Sequence, residues 1–316
     1  MSTEEKLTTL LKHCAKQRVQ DLYFTPTIGG WRLTERRQSD LVTNQELDKP
    51  TGTRYLNRLK YMAGMDISET RRAQTGRSEL QLADQTIYLR LATVGDFLNR
   101  ESLVIRFIYP IGAIYHCDDQ QILAQLTQMS RQAGLILFAG PTGSGKTTSL
   151  YHLAQQSMSA KMVVAIEDPI EIVAPEFLQL QVNDNAGLSY AELLKISLRL
   201  RPDTLIIGEI RDLETAQYAV SAALSGHLVL STIHARSTQG VVARLLDLGI
   251  SELQLRACLT GIAYQSLVTK DDVVQAHYEL LTGPDYFSKK RRWLRCISYD
   301  NKRNFTLISC SYWGGY

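Results

Sequence analysis

The chain has 316 residues, 44% of them hydrophobic, with 35 Lys and Arg against 32 Asp and Glu for a net charge of +3. That length predicts two domains with a sizeable core, and a charge so near neutral gives no electrostatic ground for nucleic-acid binding. Five scattered cysteines (Cys14, Cys117, Cys258, Cys296, Cys310) without a C-x-x-C pair argue against a zinc site or a disulfide framework, and are expected as thiols in a reducing compartment.

From the start, Met1 to Lys6 lacks a basic stretch followed by an apolar one, so no signal peptide is expected. No uncharged apolar run is long enough for a transmembrane helix, so any membrane role would come through a partner. Residues 4–20 are expected as a helix, with Leu7, Leu10, Leu11 and Ala15 near helical spacing. Thr25 to Gly30 carries turn chemistry, and 52–65 again favours a helix. Residues 86–92 and 102–108 alternate as two strands. Ile87, Leu89 and Leu91 share one face of the first, and Leu103, Ile105 and Phe107 one face of the second. Arg90 and Arg106 fall on the opposite, polar faces.

Tyr109-Pro110-Ile111-Gly112 marks a boundary, and a helix is predicted over about 118–132. Beyond it come four short apolar runs, at 135–139, 162–166, 204–208 and 228–232, with helical patterns between them. That alternation predicts a mainly parallel sheet with crossover helices. Asp212 is placed to cap a helix carrying Ala216, Ala219, Val220, Ala223 and Leu224. Ser251 and Gln254 form a capping box ahead of a helix expected to carry Leu255, Leu259 and Ile262. The expected organisation is a small N-terminal α/β domain over 1–110, a linker at 111–117 and a second α/β domain over 118–316. The basic run Ser288-Lys289-Lys290-Arg291-Arg292 is expected as a solvated loop, with a partner or phosphate site as the alternative.

Gly140-Pro141-Thr142-Gly143-Ser144-Gly145-Lys146-Thr147 fits G-x-x-x-x-G-K-[ST], between an apolar strand and a helical segment. Gly143 and Gly145 let backbone N–H groups close around phosphates, and the helix N-terminus adds a favourable dipole. Lys146 reaches the β- and γ-phosphates of a nucleotide and the Thr147 hydroxyl ligates Mg²⁺, with Thr148 next in the loop-to-helix turn. Hydrolysis needs more: a group to place water and one to sense the γ-phosphate. Two apolar strands end in acids. Val163 to Ile166 runs into Glu167-Asp168-Pro169-Ile170-Glu171, and Thr204 to Gly208 runs into Glu209-Ile210-Arg211-Asp212. Either acid can serve the Mg²⁺ or the water, or can pair with Arg211 or Arg201. His227 and His234 bracket a third strand, Leu228 to Thr232, and either can donate a hydrogen bond to a γ-phosphate.

In this order the blocks (the glycine loop, E-D-P-I-E, I-I-G-E-I-R-D and S-G-H-L-V-L-S-T-I-H-A) resemble the ATPase family of type II secretion, type IV pilus and competence systems. Gln74-Thr75-Gly76-Arg77 looks like the family's Q-D-G-R turn, and Arg90-Leu91-Ala92-Thr93 and Val104-Ile105-Arg106 look like its paired strands. The resemblance covers about residues 20–285 and implies a PAS-like first domain and a RecA-like P-loop second domain. It implies that Glu167 positions the attacking water, Glu209 assists Mg²⁺ and the γ-phosphate, and His227 and His234 sense nucleotide state. Arg90 and Arg106 would reach the nucleotide phosphates, with Arg77 and Arg211 as further candidates. It further implies a cytoplasmic homo-hexamer at the inner face of the cell membrane. An integral-membrane platform protein would hold it there, and pilin-like subunits would be moved indirectly. The pattern departs from the family at Gln20-Asp21-Leu22-Tyr23 and at Leu198-Arg199-Leu200-Arg201-Pro202-Asp203, where a base replaces an acid. A tetracysteine module, a long N-terminal extension and the retraction-type C-terminal element are not found, which favours the short competence-pilus form. Two other classes compete. A motor acting directly on nucleic acid would show DNA-stimulated, salt-dependent behaviour, and a nucleotide-gated scaffold would assemble without turnover.

Overall fold

A computed structural model describes residues 2–37, 40–110, 116–157, 162–183, 186–270 and 273–287. Residues 111–115 of the expected linker, and the basic run at 288–292, lie outside the described residues. The chain forms two compact units. One comprises Met1–Gly112 with Glu171–Ala174, the other Ala113–Ile170 with Pro175–Tyr316.

The first unit contains α1 (Thr3–Lys16), β1 (Asp21–Pro26), β2 (Gly30–Arg37), β3 (Asp40–Asp48), α2 (Lys49–Met62), β4 (Gln74–Gln81), β5 (Thr86–Gly95) and β6 (Glu101–Ile108). Its six strands form an antiparallel sheet in the order β3-β2-β1-β6-β5-β4. Alternation dictates which residues go inside. Ile87, Leu89 and Leu91 of β5 and Leu103, Ile105 and Phe107 of β6 are buried against Leu7 and Leu11 of α1 and Leu56 and Leu59 of α2. Ser2 caps α1 in a reciprocal capping box with Glu5. The core also holds a charged pair: Lys60 Nζ donates to Glu101 Oε1 at 2.7 Å, and Thr93 Oγ1 donates to the same oxygen at 2.8 Å.

Gln74 to Arg77, expected as a turn, is the first half of β4. Its register pairs Gly76 with Leu91, and a Cβ on Gly76 would lie 2.3 Å from the Ala63 carbonyl oxygen. The glycine is there for the close approach of the end of α2. The Gln74 side chain holds the preceding loop instead, accepting from Asp66 N–H at 2.9 Å and donating to the carbonyls of Asp66 and Glu69.

The second unit contains α3 (Gln120–Met129), β7 (Gly134–Ala139), α4 (Lys146–Gln156), β8 (Val163–Glu167), β9 (Leu178–Gln181), α5 (Tyr190–Arg199), β10 (Thr204–Glu209), α6 (Leu213–Leu224), β11 (Leu228–Ile233), α7 (Thr238–Asp247), α8 (Glu252–Cys258), β12 (Leu259–Lys270) and β13 (Val273–Thr282). The sheet order is β13-β12-β7-β11-β10-β8-β9, parallel throughout except for the β12–β13 hairpin. All six residues of β7 and of β11 are buried, as strands covered on both faces must be. Asp212 caps α6 through the Thr215 N–H at 2.8 Å. The Ser251–Gln254 capping box forms too, but its helix stops at Cys258. Leu259 and Ile262 lie in β12, because parallel pairing with the open edge of β7 overrides the helical spacing. Among the described residues no helix is long and apolar enough to cross a membrane.

Candidate nucleotide site

The buried strand β7 delivers the chain into the glycine loop at the C-terminal edge of the sheet. Gly145 is the N-cap of α4 with φ 82°, a left-handed conformation that glycine adopts without strain. It has no side chain to cap the helix, so the N-cap position itself offers no side-chain acceptor to the first N–H groups of α4, which face the loop. Lys146, Thr147 and Thr148 make the first turn of α4, while Pro141, Thr142 and Gly143 are exposed. Lys146 Nζ donates to the carbonyls of Gly140 at 3.0 Å and Pro141 at 2.9 Å, so the ammonium is folded over the loop it belongs to.

One bracing residue escaped the sequence reading. Gln265, in β12, is buried and donates from Nε2 to the Ser144 carbonyl at 2.6 Å. Its own backbone oxygen would lie 2.2 Å from a Cβ on Gly140, so strand and loop pass too closely for any side chain there. Nothing local signalled Gln265. It sits 121 positions from its partner, and only β12's placement beside β7 brings the two together. Among the described residues, the buried Ser144 Oγ has no hydrogen-bond partner. An orphaned hydroxyl, an uncapped helix start and a lysine over the loop fit a bound polyphosphate, which supplies acceptors for all three.

Both acids stand on this same edge, at the ends of β8 and β10. From β7 they are three and two strands away, lateral steps of about 14 and 10 Å at roughly 4.8 Å per strand. Glu167 is 3% exposed and accepts a short hydrogen bond from the Tyr151 hydroxyl of α4, which in turn accepts from Gln179 Nε2 at 2.8 Å. Burial pushes the Tyr190 phenol up, so it stays a donor, and it bonds the Ile166 carbonyl at 3.3 Å beside Glu167. Glu167 is thus tied to the helix that begins in the loop. Glu209 follows a register shift between Ile207 and Glu209. Such an irregularity re-aims a side chain at a strand end. Thr232 Oγ1 holds the kink by donating to the Gly208 carbonyl at 2.7 Å. Glu209 pairs with Arg211 and, through Oε2, lies 3.3 Å from His234 Nε2.

The two histidines part company. His234 follows the C-terminal end of β11 and meets Glu209, whereas His227 precedes β11 at the opposite edge. There its carbonyl accepts from the Gly134 N–H at 3.0 Å, at the start of β7. The structure does not bring His227 to the glycine loop.

In the first unit, register places Arg77, Arg90 and Arg106 side by side across β4, β5 and β6. The row continues into Asp21 of β1 and Arg36 of β2. Asp21, 3% exposed, accepts from Arg106 Nε at 2.8 Å and lies 3.8 Å from Arg36 Nε. That hydrogen bond holds the Arg106 guanidinium more firmly protonated. Tyr23, in the departing motif, accepts from Arg36 Nε at 3.0 Å. The row forms a stripe of four arginines, with Asp21 inside it and the Glu171 carboxylate also acting on Arg106.

A glycine loop leaving an inner strand of a mainly parallel sheet, with carboxylates at neighbouring strand tips, is the architecture of a P-loop nucleotide-binding enzyme. Comparison with known proteins narrows the class. Residues 2–298 match the family model of the type II/IV secretion system protein, and the chain belongs to that family. It is 42% identical over 265 residues to competence protein ComGA of Streptococcus pneumoniae R6, covering 84% of each chain. It is 36% identical to competence protein ComGA of Bacillus subtilis 168, over 84% of this chain and 76% of the relative. Among solved structures it resembles the Legionella pneumophila ATPase DotB (TM-score 0.71, 20% identity, 90% and 86% covered). It also resembles the pilus retraction motor PilT with bound ADP (TM-score 0.68, 23% identity, 91% and 87% covered). The fold is therefore that of these ATPases, and the chain is an ATPase of the secretion and pilus motor kind.

Proposed function

We propose that this chain is the ATP-hydrolysing motor of a competence (DNA-uptake) pilus, working as a homo-hexamer against an integral-membrane platform protein at the inner face of the cell membrane. The observation that carries the enzymatic part is the gathering of the uncapped α4 start, Glu167 and Glu209 on one edge of the sheet. The competence assignment rests on the 42% identity to a relative of that name.

In the proposed reaction the N–H groups of Gly143 to Thr147 and the Lys146 ammonium grip the phosphates. Lys146 exchanges its two loop carbonyls for phosphate oxygens. The Thr147 hydroxyl and Glu209 are the groups suited to Mg²⁺, directly or through water, an ion that commonly takes one or two protein oxygens and completes its shell with phosphate and water. That ion would neutralise charge developing on the phosphates. Glu167, oriented by Tyr151, accepts a hydrogen bond from the attacking water and aligns it with the γ-phosphorus. His234, against Glu209, is the group suited to report whether a γ-phosphate is present. His227 has no part in this scheme. The Arg90 and Arg106 stripe has the chemistry for polyphosphate, and each residue is expected to contribute to turnover.

The test is phosphate release with Mg·ATP, alongside the molar mass in solution by light scattering. Wild-type chain is expected to hydrolyse ATP as a hexamer, and Lys146→Ala to release no phosphate. A monomer without turnover, even with lipid and platform protein added, would refute the motor. Hydrolysis stimulated by DNA would favour direct nucleic-acid translocation instead.

A further inference from the structure

The second unit holds a concavity of about 310 Å³ at the N-terminal edge of its sheet. It lies where α3 leads into β7, α5 into β10 and α6 into β11. The glycine loop leaves β7 at the other edge, so the length of the strand, about 17 Å at roughly 3.3 Å per residue, separates the two places. Arg131, Arg201 and His227 line the concavity with a single acid, Asp203.

That acid is engaged: Asp203 Oδ2 accepts from the Met162 N–H at 2.8 Å. Among the described residues, neither the Arg131 nor the Arg201 guanidinium has an ion pair or a hydrogen bond. His227 Nδ1 lies 3.0 Å from the Ala222 carbonyl, which requires the hydrogen on Nδ1. Basic groups often sit at helix C-termini simply to answer the terminal carbonyls. That accounts for His227. It does not account for two arginines that bond no carbonyl.

Arg201 supplies an independent observation. It is the second residue after the end of α5, with φ 51°, where helices usually turn off on glycine or asparagine. It also precedes Pro202, which narrows its backbone choices further. An arginine held there is strained relative to glycine, and strain of this kind gathers at functional sites. It is also the position where the sequence carries a base in place of the acid of the motif it resembles.

The geometry points to this concavity as a binding site for a small phosphate-bearing anion, separate from the glycine loop. Two guanidinium forks match phosphate oxygens in pairs, an imidazole adds a third donor when protonated, and the volume suits a small molecule. A pyrophosphoryl group is the chemistry that uses all three donors.

The test is calorimetric titration of the full chain with inorganic pyrophosphate. Wild-type protein is expected to bind two per chain, one at each place. Lys146→Ala should lose the loop site and keep the other. Arg201→Gly and Arg131→Gln should each weaken the other site at least tenfold and spare the loop. Glycine at 201 relieves the backbone, so Arg201→Gly should melt no lower than the parent while losing the site. If it melts lower, Arg131→Gln with an unchanged melting temperature decides. All pyrophosphate binding disappearing in Lys146→Ala, or both arginine variants binding as wild type does, would overturn the proposal.

Discussion

Replacing Gln265 by leucine tests the brace between β12 and the glycine loop. Leucine keeps most of the volume but removes the donor that bonds the Ser144 carbonyl at 2.6 Å. A buried acceptor left without its donor costs about 1–3 kcal/mol. Gln265 Oε1 is itself buried without a partner among the described residues, and deleting it returns part of that. A net loss of about 1–2 kcal/mol for the second unit follows, a fall in melting temperature of roughly 2–8 °C for a domain of this size. The functional effect should be larger than a stability change alone would give, because the freed carbonyl belongs to the loop that grips phosphate. Loosening the loop by about 1.4 kcal/mol weakens nucleotide binding roughly tenfold. Gln265→Leu should therefore raise KM for ATP about tenfold and leave kcat within a few-fold, since neither Glu167 nor Glu209 is touched. Steady-state phosphate release and differential scanning calorimetry read the two effects. KM unchanged together with an unchanged melting temperature would show that the bond braces nothing.

Three further outcomes are expected. Glu167→Gln keeps the hydrogen bond to Tyr151 but removes the charge that aligns water, so kcat should fall at least about a hundredfold with ATP binding retained, as single-turnover and equilibrium binding assays would report. Lys60→Met leaves Glu101 buried without its cation; breaking such a pair costs about 3–5 kcal/mol, so the first unit should melt well below the parent by calorimetry. Burial pushes the Cys14 thiol up to about 12 and the Cys258 thiol to about 11. Both should resist iodoacetamide at pH 8 in the native protein and react once it is unfolded, as mass spectrometry would show. The sign follows: a buried thiol favours its neutral form, so its contribution is intact below the ordinary value of 9.0 and is lost as pH climbs towards the folded value.

Much of the fold was legible because its signals are short-range. The apolar runs of β7, β8, β10 and β11 are continuous, since both faces of those strands are covered, and their ends fall within one or two residues of the expected ones. Strands β5 and β6 announced themselves by strict alternation. Partner-dependent structure was not legible. The stretch Leu259 to Ile262 has helical spacing and becomes a strand only because β7 has an edge to fill. Gln74 to Arg77 looks like a turn in isolation, yet it pairs with β5 over its whole length. Gln265 acquires its role from a loop 121 positions away.

The histidines show how far sequence logic could have gone unaided. In a parallel sheet every strand runs the same way, so the loops after the strands share one edge and the loops before them share the other. Gly140 follows β7, so whatever meets its ligand must also follow a strand. Glu167 ends β8, Glu209 ends β10 and His234 follows β11, and all three satisfy that condition. His227 precedes β11 and cannot, because the six residues of that strand carry it to the far edge. Two residues that bracket a strand are held apart by its length, however close they look in the motif. The same rule that removes His227 from the nucleotide loop delivers it, with Arg131 and Arg201, to the other edge. There the turn before β11 and the connections into β7 and β10 must converge for the reason that the acids converge opposite them.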